Sequence, residues 1–285
     1  MNRDLVLAEL EANAHDRDKL YSILRSLPLD LVGETLLCIP PDYEGALRRY
    51  LPRMASDEIQ RNWTGSSGHH LLQQSCAFVR SVESNVRAFT GRGLESAKIL
   101  DYGCGWGRLL RLMYKHTAPE NLYGCDPWDL SINICRDSGI AAHLAVSDYL
   151  PKTLPFEEVK FDLIYAFSVF THLSERAAAA AMSACRKSIN DNGVMVITVR
   201  PPSYWPAHQD AQGPVNREQM LADHKARGFA YTPHGRDAID GDVTYGDTSI
   251  SLDYIAKHWP DWEVQGVDWQ LHDPYQMLVF LKPAL

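Results

Sequence analysis

The sequence predicts an α/β fold built on a parallel sheet with helices on both faces. Three observations carry that expectation. From residue 97 onward, short apolar runs alternate with helical stretches. Glycines at 103, 105 and 107 directly follow the first of those runs. Carboxylates Asp101, Asp126 and Asp148 close three consecutive runs. A chain of 285 residues, 45% hydrophobic and 22% charged, has ordinary globular composition and enough length to bury a core.

Taken in order, residues 3–27 read as one amphipathic helix, with Leu5, Leu10, Leu20, Ile23 and Leu24 near helical spacing. Pro40, Pro41 and Gly45 punctuate the next stretch, a second helix is expected over 43–61, and NWTGSSGHH (62–70) is a turn-rich break. With a third helix over 69–89, residues 1–95 form a helical N-terminal portion. Then come a strand over 97–102, a helix over 107–117, a strand over 121–126, and a helix over 130–139 closed by Gly139. Strands come next over 141–148 and 161–168, then a helix over 174–189 with Ser174 as its cap, then a strand over 193–200. Beyond residue 200 the alternation stops. A short helix over 216–228, a Gly- and Asp-rich loop over 229–247 and a helix over 251–259 precede two strands, 262–269 and 275–282. Their short link, LHDP, suits an antiparallel pair.

The chemistry is concentrated in ILDYGCGWGR (99–108). Glycines between a strand and a helix let the backbone turn tightly and approach a ligand without a Cβ clash. The helix start offers unpaired N–H groups beside the bound group. A dinucleotide fingerprint needs glycine where Arg108 stands, which disfavours a nicotinamide-dependent oxidoreductase. Asp126 lies 19 residues past Gly107, where an acid can accept both hydroxyls of a ribose.

The alternating glycines resemble the first motif of class I S-adenosylmethionine-dependent methyltransferases. NLYGCDPW, AVSDYL and FDLIYAFSVFTHL extend the resemblance over 97–200, and the tail 248–283 matches the closing elements of that family. WTGSSG (63–68) resembles the N-terminal cap of its small-molecule and sugar-type members. The resemblance implies a Rossmann-like seven-stranded sheet with an antiparallel last strand. It implies a cap or lid over 1–95 and a methyltransferase domain over 96–285 with an acceptor-side insert at about 201–247. It further implies S-adenosylmethionine as donor. Asp101 would hold the turn or a water near the amino-acid end of that donor, with Tyr102, Gly103 and Gly105 offering backbone contacts. Asp126 would take the ribose, Pro127, Trp128, Asp148 and Tyr149 would border the adenine, and Phe167 would lie close to the sulfonium.

On the acceptor side, His172 follows the fourth strand and is expected as general base or acceptor-orienting group. His208, His224 and His234 in the insert read as surface residues. Tyr204, Trp205, Tyr231 and Tyr245 line a sugar or aromatic pocket or pack the loop's own core. Arg108 and Arg111 read as solvated or paired helix residues. Asp237, Asp240, Asp242 and Asp247 lack an EF-hand pattern, so no metal is expected. The leading expectation is O-methylation of a small molecule or sugar. N-methylation of an amine and a donor-binding scaffold without turnover are the alternatives.

Charge and cysteines narrow the partners. The net charge of −8 is concentrated after residue 200, which disfavours nucleic acid and other polyanions. No apolar run is long enough to span a membrane. Six cysteines with neither CxxC pairs nor zinc spacing suit reduced thiols in the cytoplasm.

Overall fold

The computed structural model describes residues 3–209, 214–270 and 272–284. Residues 210–213 of the expected loop after the 193–200 strand, and Leu271 in the expected link between the last two strands, lie outside the described residues. The chain divides into two compact units, Met1–Val146 and Ser147–Leu285.

The first unit opens with α1 (Arg3–Ala12), α2 (Arg17–Ser26) and α3 (Leu29–Cys38). The single helix expected over 3–27 is broken in two. The Asn13 side chain donates to the Glu9 carbonyl at 2.8 Å as α1 ends, and Asp16 caps α2 by accepting the Lys19 N–H at 3.0 Å. The helix expected over 43–61 is only a 3-10 turn, Ala46–Arg49, followed by α4 (Asp57–Thr64). Pro52 lies in the interval, and Ser56 caps the new start by accepting the Ile59 N–H. Gly65, at φ 74°, ends α4. α5 (Gly68–Thr90) buries a stripe of Leu71, Phe78, Val79, Val82 and Val86.

Strands β1 (Ile99–Tyr102) and β2 (Leu122–Asp126), then α6 (Asp129–Asp137) and β3 (His143–Val146), complete this unit. The three strands are parallel, with Asp101 opposite Gly124 and Asp126 opposite Val146. Gly139 sits at φ 79° just past α6, as expected. The helix expected from residue 107 is instead a run of turns and a 3-10 segment, Leu110–Lys115.

The second unit contains β4 (Phe161–Ala166), α7 (Glu175–Ser188), β5 (Ile189–Val199), α8 (Tyr204–Ala207) and α9 (Arg217–Arg227). β6 (Phe229–Pro233), β7 (Gly246–Ile250), α10 (Leu252–His258), β8 (Trp262–Trp269) and β9 (Met277–Pro283) come after them. Seven of the strands form one sheet in the order β3-β2-β1-β4-β5-β9-β8. β4 and β5 are parallel, while β9 runs antiparallel to both β5 and β8. Ser174 caps α7 through the Ala177 N–H. The stretch expected as loop after α9 contributes β6, which pairs antiparallel with β7. Buried Phe229, Ala230 and Ile250 anchor that pair, and the polar residues of β7 find partners inside the unit. Among the described residues, no helix is long and apolar enough to cross a membrane.

Candidate functional site

The first unit gathers seven of the expected residues around one turn. Asp101 and Tyr102 end β1, both buried. Gly103, Gly105 and Gly107 follow at φ 77°, 53° and 77°, conformations that a side chain would strain. The loop folds back onto β2, because the N–H groups of Gly103 and Cys104 both donate to the Cys125 carbonyl. Asp126 then clasps the turn from the end of β2. Its Oδ2 accepts the Gly105 N–H at 3.0 Å and its Oδ1 accepts the Trp128 N–H at 2.9 Å. Burial raises the Asp126 carboxyl above its usual range, and hydrogen bonds from Trp128, Gly105 and Ser131 oppose that rise.

Trp128 is 43% exposed and stacks on Trp63 of α4, with ring centroids 4.9 Å apart. Trp63 also approaches Gly105, where an added Cβ would lie 3.8 Å from the indole. Nothing in the sequence pairs Trp63 with Trp128 beyond its place in WTGSSG. Arg111, expected as solvated or paired, is buried and donates to the carbonyls of Gly107, Trp106 and Arg53. Arg108 is paired, through Gln74.

The second unit holds Asp148, Tyr149, Phe167 and His172. Asp148 is exposed, and Tyr149 and Phe167 are half-buried. Phe167 directly follows β4, and Ser168 beyond it sits at φ 58° and donates its N–H to Thr198 on β5. That left-handed residue turns the chain back toward His172.

His172 belongs to a buried polar cluster that the sequence does not announce. Arg200 follows β5, and Asp247 lies on β7. Arg200 Nη1 donates to Asp247 Oδ1 at 2.6 Å and to the Thr171 carbonyl at 2.6 Å. His208 Nε2 and His234 Nε2 both donate to Asp247 Oδ2, at 3.0 and 2.9 Å. His172 Nδ1 donates to the Gly246 carbonyl at 2.7 Å, and its Nε2 accepts from Arg200 Nη2 at 3.3 Å. Tyr245 stacks on His172, and Arg200 lies 4.1 Å over the Tyr204 ring. His208 and His224, expected at the surface, are buried, and His224 shares the Ser249 hydroxyl with Trp205. Trp205 is fully buried, so it packs the core of this region.

The electrostatics of the cluster follow from burial and Arg200. Burial opposes ionisation of Asp247, but Arg200 and the hydrogen bonds from His234 and His208 outweigh it, holding the carboxyl well below its usual range. Burial, then the Arg200 charge, lower His172 to about 3, so it is a neutral ring. Asp126 ends β2 and Arg200 directly follows β5, each at the carboxyl end of its strand, where open α/β sheets bind ligands.

Residues 99–193 match the family described as a methyltransferase domain. The fold is similar to an S-adenosylmethionine-dependent methyltransferase from Clostridium acetobutylicum, with TM-score 0.52 and 11% identity over 80% of this chain and 97% of that one. It is also similar to a protein from Pyrococcus horikoshii, with TM-score 0.53 and 13% identity over 81% of this chain and 100% of the other. No curated protein matches the sequence. Residues 99–193 therefore carry a methyltransferase domain, on the fold seen in S-adenosylmethionine-dependent methyltransferases.

The first unit has residues that fit S-adenosylmethionine as a methyl donor. The three left-handed glycines keep the turn free of side chains, and each Asp126 oxygen has accepting capacity beyond the single backbone N–H it takes. When bound, S-adenosylmethionine supplies an electrophilic methyl group on a sulfonium, so the protein's share is positioning and proton handling.

The low His172 value makes stability depend on pH. An unfolded histidine takes up a proton near pH 6.5, whereas the folded ring does so only near 3. The unfolded state therefore binds more protons in between, and stability falls as pH drops through that window. The expected loss between pH 7 and pH 5 from this ring is about 2 kcal/mol. His116 and His224, also lowered by burial, act in the same direction. Urea unfolding at the two pH values reads it, and His172→Gln is expected to flatten the dependence.

Proposed function

We propose that the methyltransferase moves the donor's methyl group to a hydroxyl of a small molecule or sugar. The observation that carries the donor half is the Asp126 carboxylate, buried at the end of β2 and tied to Gly105. In this reading Asp101, Tyr102, Gly103 and Gly105 hold the amino-acid end of the donor, and Asp126 accepts from the ribose. Pro127, Trp128, Asp148 and Tyr149 border the adenine, and Phe167 lies near the sulfonium. His172 orients the acceptor. Residues 1–95 act as a cap, and the insert at about 201–247 forms the acceptor side. The histidine and aspartate cluster supports a hydroxyl acceptor, because such an acceptor must lose a proton on transfer. All six cysteines are free thiols, which supports a reducing compartment such as the cytoplasm.

Calorimetry with S-adenosylhomocysteine tests the donor half. Wild-type protein is expected to bind it and to ignore NAD. Asp126→Ala is expected to weaken binding about 100-fold, the value of two hydrogen bonds to a charged acceptor. A folded wild type that fails to bind overturns the donor assignment. Methyl uptake across a panel of hydroxyl and amine compounds tests the acceptor half. Transfer confined to amines overturns the hydroxyl reading.

A further inference from the structure

We propose that His234, oriented by Asp247, is the general base that takes the proton from the acceptor hydroxyl, a role resting on the methyl-transfer reading. The imidazoles of the cluster differ in what their nitrogens hold. Both nitrogens of His172 are engaged, Nδ1–H with the Gly246 carbonyl and Nε2 with Arg200. Its lone pair is therefore spent on a cation and is not free to take the acceptor's proton. His208 is almost wholly enclosed, with 3% of its side chain exposed. His224 binds Ser249 and lies outside the carboxylate's reach.

His234 differs in each respect. Asp247 is an acceptor only, so the proton of His234 must sit on Nε2, 2.9 Å from Oδ2. That fixes the lone pair on Nδ1, which has no hydrogen-bond partner among the described residues. The ring is 13% exposed, enough for a small acceptor to reach and too little for bulk water to surround. Its backbone is pinned, since the His234 N–H donates to the Tyr245 carbonyl. A carboxylate holding one imidazole nitrogen while the other stays free is the arrangement that general-base catalysis requires.

The charges around the ring suit the role. Asp247, His172 and Tyr245 face His234 directly, while His208 shares Asp247 Oδ2, Arg200 holds Asp247 Oδ1 and Arg236 lies over Tyr245. Asp247 is the positioning residue, with its charge shared between Arg200 and the rings. In the step itself, the acceptor O–H proton passes to His234 Nδ1. The oxygen's electron pair forms the new bond to the methyl carbon. The carbon–sulfur bond breaks, and its pair stays on sulfur as a neutral thioether. The imidazolium, facing Asp247, returns the proton to solvent.

Two readouts test the free base without turnover. In 15N-histidine NMR, His234 is expected as the Nε2–H tautomer. Diethyl pyrocarbonate is expected to modify His234 before His172 and His208. An Nδ1–H tautomer, or modification of His234 no faster than of the other two, overturns the proposal. With an acceptor from the methyl-uptake panel, His234→Gln is expected to lower kcat about 100-fold while KM and S-adenosylhomocysteine affinity hold. Added imidazole is expected to restore turnover in His234→Ala. Normal kcat in a folded His234→Gln protein that binds S-adenosylhomocysteine overturns this inference and leaves the donor reading intact. Absence of S-adenosylhomocysteine binding in wild type overturns the donor reading instead.

Discussion

Asp247→Ala lowers the unfolding free energy by about 3–5 kcal/mol, the cost of leaving a buried cation without its counterion. The carboxylate is the only acid in ion-pair range of Arg200 among the described residues, and each side chain is 9% exposed. Its removal strands more than the guanidinium. His208 and His234 lose the acceptor for their Nε2–H groups, and His208 has almost no solvent to turn to. Tyr204 over the guanidinium compensates only partly, since a cation–π contact contributes about 1–2 kcal/mol. The pairing itself predicts a second result. Replacing both partners, Arg200→Met with Asp247→Leu, is expected to cost less than Asp247→Ala alone, because no isolated charge stays buried. Urea titration of the three variants reads both results. Equal midpoints for wild type and Asp247→Ala would show that the cluster does not hold the second unit together.

The two clusters differ in how readily the sequence discloses them, and the difference is one of range. The glycine turn and Asp126 are readable because their partners lie close by in a repeating pattern. A strand end, a left-handed turn and a second strand end leave local marks in residue type and spacing. The Asp247 cluster leaves none. Its members follow β4, β5, α8 and β6 or lie on β7, and only the pairing of β6 with β7 brings them together. Singly, a histidine in a loop reads as a surface residue and an aspartate in GDTSI reads as a turn. The same blindness hides β6. A Gly- and Asp-rich run reads as loop when its polar groups are assumed to face water, yet these groups face one another. At the N-terminus the apolar spacing over 3–27 is correct for burial and silent about Asp16, whose capping bond divides the helix.

Arg111→Met is expected to cost about 3 kcal/mol and to weaken donor binding, although Arg111 is none of the residues assigned to the donor. The side chain is 2% exposed and has no carboxylate in ion-pair range among the described residues. Burial lowers it only to about 10, so it stays charged at neutral pH. What replaces its water is backbone. Nε donates to Gly107 at 3.0 Å, Nη2 to Trp106 at 3.2 Å and Nη1 to Arg53 at 3.0 Å, with the Trp106 ring 4.8 Å beneath. Methionine fills similar volume and relieves the buried charge, which works in its favour. Against that, three desolvated carbonyls lose their donor, at about 1–3 kcal/mol each. The second effect wins because two of the carbonyls, those of Trp106 and Gly107, belong to the glycine turn itself. Arg111→Lys is the sharper test. It keeps the charge and loses the fork, and one ammonium cannot serve three carbonyls in three directions. Stability and S-adenosylhomocysteine affinity are therefore expected to fall in Arg111→Lys as well. Full rescue by lysine would mean that charge, and not the geometry of the fork, holds the turn in the shape that accepts the donor.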